Sequence, residues 1–199
     1  MKPLHDIYKA SFFKRRDSLL WRVPLVCDGI IRSFPFASVI DVGCAIGDFV
    51  KGFLDRGKDA HGIEGSQTCV PYMKIGLNRL FIADLRYPIH FMITFDLVLC
   101  LEVAEHIELE HSSQFVDNLT QFGDNILISM APPGQGGHYH VNCQEIEYWD
   151  DKFAVFGFAR QDHIAEKIKK EWEPYKRKKG MNAYYANLHF YKRIDPCLM

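Results

Sequence analysis

The sequence predicts an α/β fold: a doubly wound, mostly parallel sheet of seven strands with helices on both faces and a helical addition at the N-terminus. Three observations predict it. Short apolar runs rich in β-branched residues alternate with stretches of helical period. Several runs end in an acid, at Asp41, Glu64 and Asp84. A glycine-bearing turn follows the first run, as in strand-to-helix turns at the carboxyl edge of parallel sheets.

Composition favours one ordinary domain without a charged binding face. The chain has 199 residues, with 24 Lys and Arg against 25 Asp and Glu. Its net charge is therefore close to zero, and overall electrostatics do not favour binding to nucleic acid or to an anionic membrane. Six scattered cysteines without C-x-x-C pairs indicate free thiols. We expect no disulfide, no zinc site, no signal segment and no membrane span, and therefore a cytoplasmic protein.

Two helices are predicted before the first strand. Leu4, Ile7, Tyr8 and Phe12 have helical spacing within residues 4–15. A second helix follows after Asp17 or Ser18 and carries apolar residues as far as position 31, with a kink or a break at Pro24.

The first strand, residues 37–42, runs into a loop between Gly43 and Gly47, and a helix begins at Phe49. A dinucleotide fingerprint would need glycine at position 48, where this chain has Asp48. That carboxylate would repel a pyrophosphate at the helix N-terminus. A ligand whose near end is a cation fits the loop better.

The segment D-V-G-C-A-I-G, residues 41–47, resembles motif I of the class I S-adenosylmethionine-dependent methyltransferases, with Ala45 where many members have glycine. The resemblance implies S-adenosylmethionine as cofactor and the strand order 3-2-1-4-5-7-6 with an antiparallel last strand. It also implies a single methyltransferase domain over residues 1–199, with a cap at 1–34 and a core at 35–195. Cofactor contacts are then expected at Asp41, Gly43, Cys44, Ala45, Gly47, Glu64, Gly65, Asp84, Leu85, Leu101 and Glu102.

Two of these acids follow the next strands. Glu64 ends a second strand, residues 59–64, about 20 residues past the loop, where an acid accepts hydrogen bonds from ribose hydroxyls. A short helix at 67–75 and a third strand at 79–85 follow. Within the resembled family, the position of Asp84 accepts a hydrogen bond from the adenine amino group. Each acid could also be a plain strand-end residue.

A fourth strand, residues 94–101, leads into E-V-A-E-H, which faces the reactive end of the cofactor. In one part of the family this acid–histidine pair works without metal. In ubiquinone-pathway and small-RNA 2′-O-methyltransferases it binds a divalent metal. If the segment is helical, Glu102, Glu105 and His106 share one face. We expect Glu105 and His106 to be catalytic and no metal to be bound, with the metal site as the alternative.

A predicted helix at 109–122 and a fifth strand at 124–131 precede P-P-G-Q-G-G-H-Y-H-V-N, which is too rich in Gly and Pro for regular structure. We predict an acceptor-binding loop in which His138, Tyr139 and Asn142 contact substrate. His140 can take a proton, because an imidazole titrates near neutrality. Each of these residues could instead only fix the loop.

The remaining chain predicts a helix at 144–153, a sixth strand at 155–160, a helix at 161–172, a turn at Gly180 and a seventh strand at 183–193. The lysine-rich residues 176–179 indicate a solvated turn, with a phosphate or nucleic-acid contact as the alternative.

Three functions remain open. The leading one is methyl transfer to oxygen or nitrogen of a small-molecule or glycan-like acceptor, without nucleic acid or membrane as partner. The others are a metal-dependent nucleic-acid methyltransferase and a non-catalytic, cofactor-binding scaffold.

Overall fold

The structure is a computed structural model that describes residues 2–194. Cys197 and the predicted core boundary at residue 195 lie outside these residues. Cys27, Cys44, Cys69, Cys100 and Cys143 are all free, and the first four are buried, as the scattered spacing predicts. No helix within the described residues is long and apolar enough to cross a membrane.

The N-terminal region is more broken than predicted. The single helix expected over 4–15 is two short helices, α1 (Leu4–Ile7) and α2 (Ala10–Arg15), because Tyr8 leaves the helical region with φ −104° and ψ 82°. A 3₁₀ helix, Arg16–Arg22, leads into α3 (Val23–Ser33), where Pro24 lies in the first turn. Its missing N–H costs no hydrogen bond there, so Pro24 marks a break and not a kink.

Seven strands form one sheet in the order β3-β2-β1-β4-β5-β7-β6, as predicted. β1 lies inside the sheet, with parallel pairing to β2 and to β4, and β7 pairs antiparallel to both β5 and β6. The strands are β1 (Ser38–Val42), β2 (Asp59–Glu64), β3 (Leu80–Ile82), β4 (Leu97–Leu101), β5 (Asn125–Ser129), β6 (Phe158–Arg160) and β7 (Leu188–Arg193).

The remaining helices cover both faces of this sheet. They are α4 (Asp48–Leu54), α5 (Ser112–Phe122), α6 (Ile146–Val155), α7 (Asp162–Trp172) and α8 (Asn182–Asn187). On one face, α3, α4 and α7 contribute buried side chains such as Val26, Phe53 and Ile168. On the other face, α5 and α6 contribute Leu119 and Phe153. The alternating pattern of the sequence therefore predicts the layers correctly.

Several predicted elements have the wrong length or type. The helix expected at 67–75 is a 3₁₀ helix, Gln67–Tyr72, and the third, fourth and sixth strands each begin later than predicted. The largest error is the seventh strand: residues 182–187 are helix α8. Buried residues recur at intervals of three in this segment, at Met181, Tyr184 and Asn187. This spacing is typical of a helix, but the aromatic residues of the segment led to the prediction of a strand.

Two glycines turn the chain at helix ends, and the second confirms the turn predicted at Gly180. Gly57 adopts φ +75° after α4, and the amides of Gly57 and Lys58 donate to the carbonyls of Leu54 and Phe53, which caps the helix. Gly180, at φ +89°, begins the turn into α8.

Candidate active site

A cleft opens at the carboxyl ends of β1, β2 and β4, where parallel sheets of this kind bind their ligands. The strand ends and the loops after them form its floor, and the N-terminal helices form its roof. Its lining consists of Leu4, Ile7, Tyr8, Phe12, Arg16, Asp41, Gly43, Ala45, Phe49, Glu64, Gly65, Asp84, Leu85, Arg86, Leu101, Glu102, Val103, His106, Ile107, His138, His140 and Tyr184. Most of the predicted site residues therefore meet in one cavity.

The loop after β1 turns by means of left-handed residues. Gly43 and Gly47 have φ +81° and +71°, and Ala45 adopts φ +52° although it is not glycine. A left-handed alanine costs roughly 1–2 kcal/mol. The Ala45 amide donates to Glu64 Oε2 at 3.0 Å, a charge-assisted bond that offsets this cost. The departure of Ala45 from the motif is thus accommodated by the acid at the end of β2.

Glu64 is buried and accepts two backbone hydrogen bonds, from Ala45 and, at 2.9 Å, from the Ser66 amide. Burial raises its pKa to about 7, although these amides lower it. Asp41 is also buried, and its Oδ2 atom has no hydrogen-bond partner. Burial and the nearby Asp48 raise the pKa of Asp41 to about 8. Both acids therefore have unused capacity to accept hydrogen bonds from a ligand.

Asp84 is held more firmly than the sequence suggests. Arg86 binds it in bidentate fashion, with Nε–Oδ1 at 2.9 Å and Nη2–Oδ2 at 2.7 Å. Arg86 also donates to the Lys2 carbonyl and to Glu108, and it is buried at the cleft wall. Sequence reasoning missed Arg86, although a D-x-R spacing after a strand was available as a signal.

Glu102 does not share a helical face with Glu105 and His106, because the segment is not helical at Glu102 and that condition is therefore not met. Its φ of +55° turns the chain sharply after β4, and the 3₁₀ helix Ala104–His106 begins only two residues later. The Glu102 carboxylate accepts from Asn187 Nδ2 at 3.1 Å and from Gln135 Nε2 at 3.0 Å. A left-handed non-glycine residue is strained, and these two bonds hold it in place.

Glu105, His106 and His140 form a cluster that linear spacing could not predict. One potential ligand atom from each lies within 4.8 Å of the others. Glu105 Oε1 is 4.0 Å from His106 Nε2 and 3.9 Å from His140 Nε2. The Glu105 side chain is 0% exposed, and neither of its oxygens has a hydrogen-bond partner among residues 2–194. The two imidazoles stand edge to face, with centroids 5.0 Å apart.

Backbone carbonyls orient both imidazoles. His106 Nδ1 lies 3.0 Å from the Tyr139 carbonyl, and His140 Nδ1 lies 3.0 Å from the Gln135 carbonyl. A carbonyl only accepts, so each Nδ1 carries the hydrogen and each neutral Nε2 keeps a lone pair. Both Nε2 atoms face the Glu105 carboxylate. Burial lowers the pKa of His106 to about 4, and burial followed by the Glu102 charge raises the pKa of Glu105 to about 8.

The predicted acceptor loop contributes unevenly to the cleft. His138 lines the cleft. Its Nε2 atom lies 2.9 Å from the Ile7 carbonyl, and this contact joins the loop to the N-terminal roof. Tyr139 instead donates from its hydroxyl to Glu108. The Asn142 side chain is buried against Ser112 and Gln144, and it lies outside the lining. Cys44 and Gly47 also lie outside it.

Sequence reasoning missed several residues at the cleft besides Arg86. Arg16 and Tyr184 line it, and Gln135 and Asn187 hold Glu102. They come from the N-terminal segment, the glycine-rich loop and α8, and no local motif marks their meeting.

No family model and no curated protein matches this sequence. Solved structures do match its fold. An amino pentose methyltransferase from Micromonospora echinaspora, solved with S-adenosylmethionine, is 17% identical, with a TM-score of 0.65 over 94% of this chain and 97% of that one. A sugar N-methyltransferase from Streptoalloteichus is 14% identical, with a TM-score of 0.64 over 87% of each chain.

Magnesium protoporphyrin IX methyltransferase from Synechocystis, solved with S-adenosylmethionine, is 16% identical, with a TM-score of 0.60 over 96% of this chain and 90% of that one. Together with the strand order and the cleft at the end of β1, these likenesses show the architecture. The chain has the fold of the class I S-adenosylmethionine-dependent methyltransferases.

Proposed function

We propose that this protein is an S-adenosylmethionine-dependent methyltransferase that acts on oxygen or nitrogen of a small-molecule or glycan-like acceptor. The observation that carries the proposal is the cleft itself. It places the glycine loop and the acids Asp41, Glu64 and Asp84 on one side and three imidazoles on the other. The similarity in fold to sugar and amino pentose methyltransferases supports the acceptor class.

In this proposal the cofactor lies across the ends of β1, β2 and β3. The carboxylate of Asp41 and the loop residues Gly43 and Ala45 would face the cationic methionine end. Glu64 accepts from the ribose hydroxyls, and its burial strengthens those bonds because little water competes. Asp84, Leu85 and the flat guanidinium of Arg86 border the adenine.

The chemistry is a direct displacement. Bound S-adenosylmethionine would supply the methyl group: the acceptor oxygen or nitrogen would form a bond to the methyl carbon as the carbon–sulfur bond breaks. The protein mainly holds the reacting atoms in line and excludes water. The proton of the acceptor passes to His140 Nε2, whose lone pair is fixed by the contact of Nδ1 with Gln135. His106 is a weak base, because burial lowers its pKa to about 4.

Thermal unfolding with S-adenosylhomocysteine, S-adenosylmethionine and NAD, each added separately, tests the cofactor. A ligand at about 100 times its dissociation constant stabilises the fold by roughly 2.7 kcal/mol, which raises the midpoint by about 5–10 °C. We expect this shift with the first two ligands and none with NAD. Glu64→Ala should remove most of it, and the exposed Glu110→Ala should not. A shift with NAD alone would contradict the proposal.

A second candidate is a methyltransferase that requires a divalent metal, and the cluster of Glu105, His106 and His140 favours it. The residues fit a metal ion: the Nε2 lone pairs are available, Nδ1 of each histidine contacts a carbonyl, and the carboxylate oxygens lack partners. Two imidazoles and a carboxylate suit manganese or zinc better than magnesium. A bound ion would polarise an acceptor hydroxyl.

Titration calorimetry with manganese, zinc and magnesium chloride tests this candidate without any acceptor. The candidate requires one ion to bind per chain, with affinity lost in Glu105→Gln and in His140→Gln but kept in the exposed control His163→Gln. An absence of heat with all three salts would exclude it.

The structure offers little support for a nucleic-acid acceptor. Within the lysine-rich turn, Lys176 pairs with Glu173, and Lys178 Nζ lies 5.2 Å from the Trp21 ring centroid. These side chains are engaged with the protein, so we keep a small acceptor as the proposal. The free thiols suit a reducing compartment, and we propose that the protein acts in the cytoplasm.

A further inference from the structure

One arginine links the end of β3 to the predicted acceptor loop, and the proposed reaction has no role for this link. The Arg86 side chain is 6% exposed, and its guanidinium lies between two acids, Asp84 and Glu108. Glu108 also accepts a hydrogen bond from the hydroxyl of Tyr139, which belongs to the loop. Glu108 and Tyr139 are not among the residues that line the cleft. Their effect on a bound ligand therefore has to pass through Arg86 or through the loop.

Arg86 fills the acceptor capacity of Asp84. A carboxylate offers about four lone-pair sites. The Arg86 amide lies 3.1 Å from Asp84 Oδ1, Nε lies 2.9 Å from Oδ1 and 3.1 Å from Oδ2, and Nη2 lies 2.7 Å from Oδ2. Asp84 differs in this respect from Asp41 and Glu64, which have unused capacity. An adenine amino group that donates to Asp84 has to displace part of the Arg86 guanidinium.

Glu108 offers the displaced guanidinium a second partner. Its Oε1 atom accepts from the Tyr139 hydroxyl at 3.1 Å and from Arg86 Nη1 at 3.3 Å, the latter long for a charge-assisted bond. Its Oε2 atom is buried and has no hydrogen-bond partner among residues 2–194. A buried acceptor without a donor is costly, so a guanidinium that leaves Asp84 gains a bond at Glu108. The two acids therefore compete for one cation.

Tyr139 connects this competition to the imidazoles. Its φ of +58° is strained for a bulky residue, and the hydroxyl bond to Glu108 holds the side chain in place. The Tyr139 carbonyl lies 3.0 Å from His106 Nδ1 and orients that ring. A guanidinium on Oε2 would fix the Glu108 carboxylate and leave Oε1 to the Tyr139 hydroxyl. The loop and His106 are then held more firmly.

We propose that adenine binding at Asp84 moves the Arg86 guanidinium onto Glu108, so that the cofactor orders the acceptor loop through Tyr139 before the acceptor binds. This inference rests on the proposed function and deepens it, because it assigns an order of binding. Arg86, Glu108 and Tyr139 are positioning residues. Coupling between two sites is reciprocal, so loss of the Tyr139 hydroxyl weakens a ligand that Tyr139 does not contact.

Titration calorimetry with two ligands tests this reciprocity. They are S-adenosylhomocysteine and S-inosylhomocysteine, in which a carbonyl replaces the adenine amino group. Tyr139→Phe should weaken the binding of S-adenosylhomocysteine about fivefold, the lower end of the usual range of coupling. The affinity for S-inosylhomocysteine should stay within about twofold. Tyr148→Phe is the matched control, because the Tyr148 hydroxyl has no partner in the described part of the chain, and it should change neither affinity.

Amide hydrogen exchange tests the effect on the loop directly. Saturating S-adenosylhomocysteine should slow exchange within residues 134–142 at least about fivefold in the unchanged protein, and saturating S-inosylhomocysteine should not. Glu108→Gln should bind S-adenosylhomocysteine but lose this slowing, because a neutral amide does not attract the guanidinium. The exposed neighbour Glu110→Gln should keep it.

The outcomes separate this inference from the proposed function. Loop exchange that S-adenosylhomocysteine leaves unchanged, or slows equally in Glu108→Gln, would overturn the role of Arg86 and leave the methyltransferase proposal in place. Equal loss of both ligands in Tyr139→Phe would show a structural role and do the same. If S-inosylhomocysteine binds too weakly to measure, the exchange of the unchanged protein and Glu108→Gln decides. If S-adenosylhomocysteine does not bind the unchanged protein, the proposed cofactor and this inference both fail.

Discussion

His140 Nε2 faces Glu105 Oε1 at 3.9 Å across a buried gap, although 35 positions separate the two residues in sequence. The carboxylate has no hydrogen-bond partner, and the imidazole lone pair is fixed by its contact with the Gln135 carbonyl. Two electron-rich groups held against each other destabilise the ligand-free state unless a proton or a cation lies between them. Several measurable consequences follow from this arrangement and its neighbours.

The stability of the ligand-free protein should fall as pH rises from about 5 to above 8. Burial raises the pKa of Asp41 and Glu105 to about 8 and that of Glu64 to about 7, whereas unfolded carboxyls titrate near 4. Between these values the folded state holds more protons than the unfolded state, so raising the pH favours unfolding. Urea midpoints at pH 5.5, 7 and 8.5 measure the trend. A midpoint that rises over this window would contradict the assigned shifts.

Glu105→Gln should stabilise the ligand-free protein at pH 8.5, and by a smaller amount at pH 6. The amide keeps the shape of the side chain but removes a buried charge that has no partner. The rate of methyl transfer should fall in the same variant, because a residue that serves function often destabilises the fold. Thermal midpoints at the two pH values give the test, with the exposed Glu110→Gln as control. Equal midpoint shifts at both pH values would rule out the charge as the cause.

Asn187→Ala should destabilise the protein by about 1 kcal/mol, because it removes the donor of two partly buried hydrogen bonds. Asn187 Nδ2 donates to Glu102 Oε1 at 3.1 Å and to Gln135 Oε1 at 2.9 Å. The exposed Asn182→Ala, at the start of the same helix, is the matched control. Urea unfolding compares the two. Similar losses in both variants would mean that the hydrogen bonds to Glu102 and Gln135 do not decide the effect.

Gly52→Ala should destabilise the protein although alanine favours helices by about 1 kcal/mol. A Cβ atom at Gly52 would lie 2.5 Å from Val23 Cγ1 and 2.7 Å from Cys27 Sγ, where α3 and α4 pack closely. Overpacking of this kind costs about 1–3 kcal/mol, so the net change is a loss. Gly136→Ala, which meets nothing within 4 Å, should be neutral. A gain in the urea midpoint of Gly52→Ala would show that α3 can move away.

The sheet and its glycine loop were predictable from the sequence, because an apolar run and the residue that ends it are local features. The run that precedes Gly43 and the acids Asp41 and Glu64 lie where the pattern places them. Their predicted roles toward a ligand remain proposals. Local patterns worked least well at the chain's two ends, where tertiary contacts decide the structure.

Residues 183–187 illustrate how tertiary contacts override local preference. Tyr184 and Tyr185 favour strand and directly precede the aromatic residues of β7, yet burial of Tyr184 beside Arg22 and the bond from Asn187 to Glu102 keep this segment helical. The positive φ of Glu102 is equally invisible in the sequence, since nothing marks a glutamate as left-handed. The cluster of Glu105 with His140 also depends on the path of a loop with no regular structure. These features arise from long-range contacts that spacing does not encode.

The position of β7 has a consequence for biosynthesis. β7 is the last strand of the described chain, but it lies between β5 and β6, and α8 just before it supplies Asn187 to the site. While a ribosome is still making residues 182–193, β5 has an open edge, β6 has no neighbour, and Glu102 lacks one of its two donors. An exposed strand edge invites pairing with other chains. The nascent protein is therefore most prone to aggregate, and its site is still incomplete, until these final residues leave the exit tunnel.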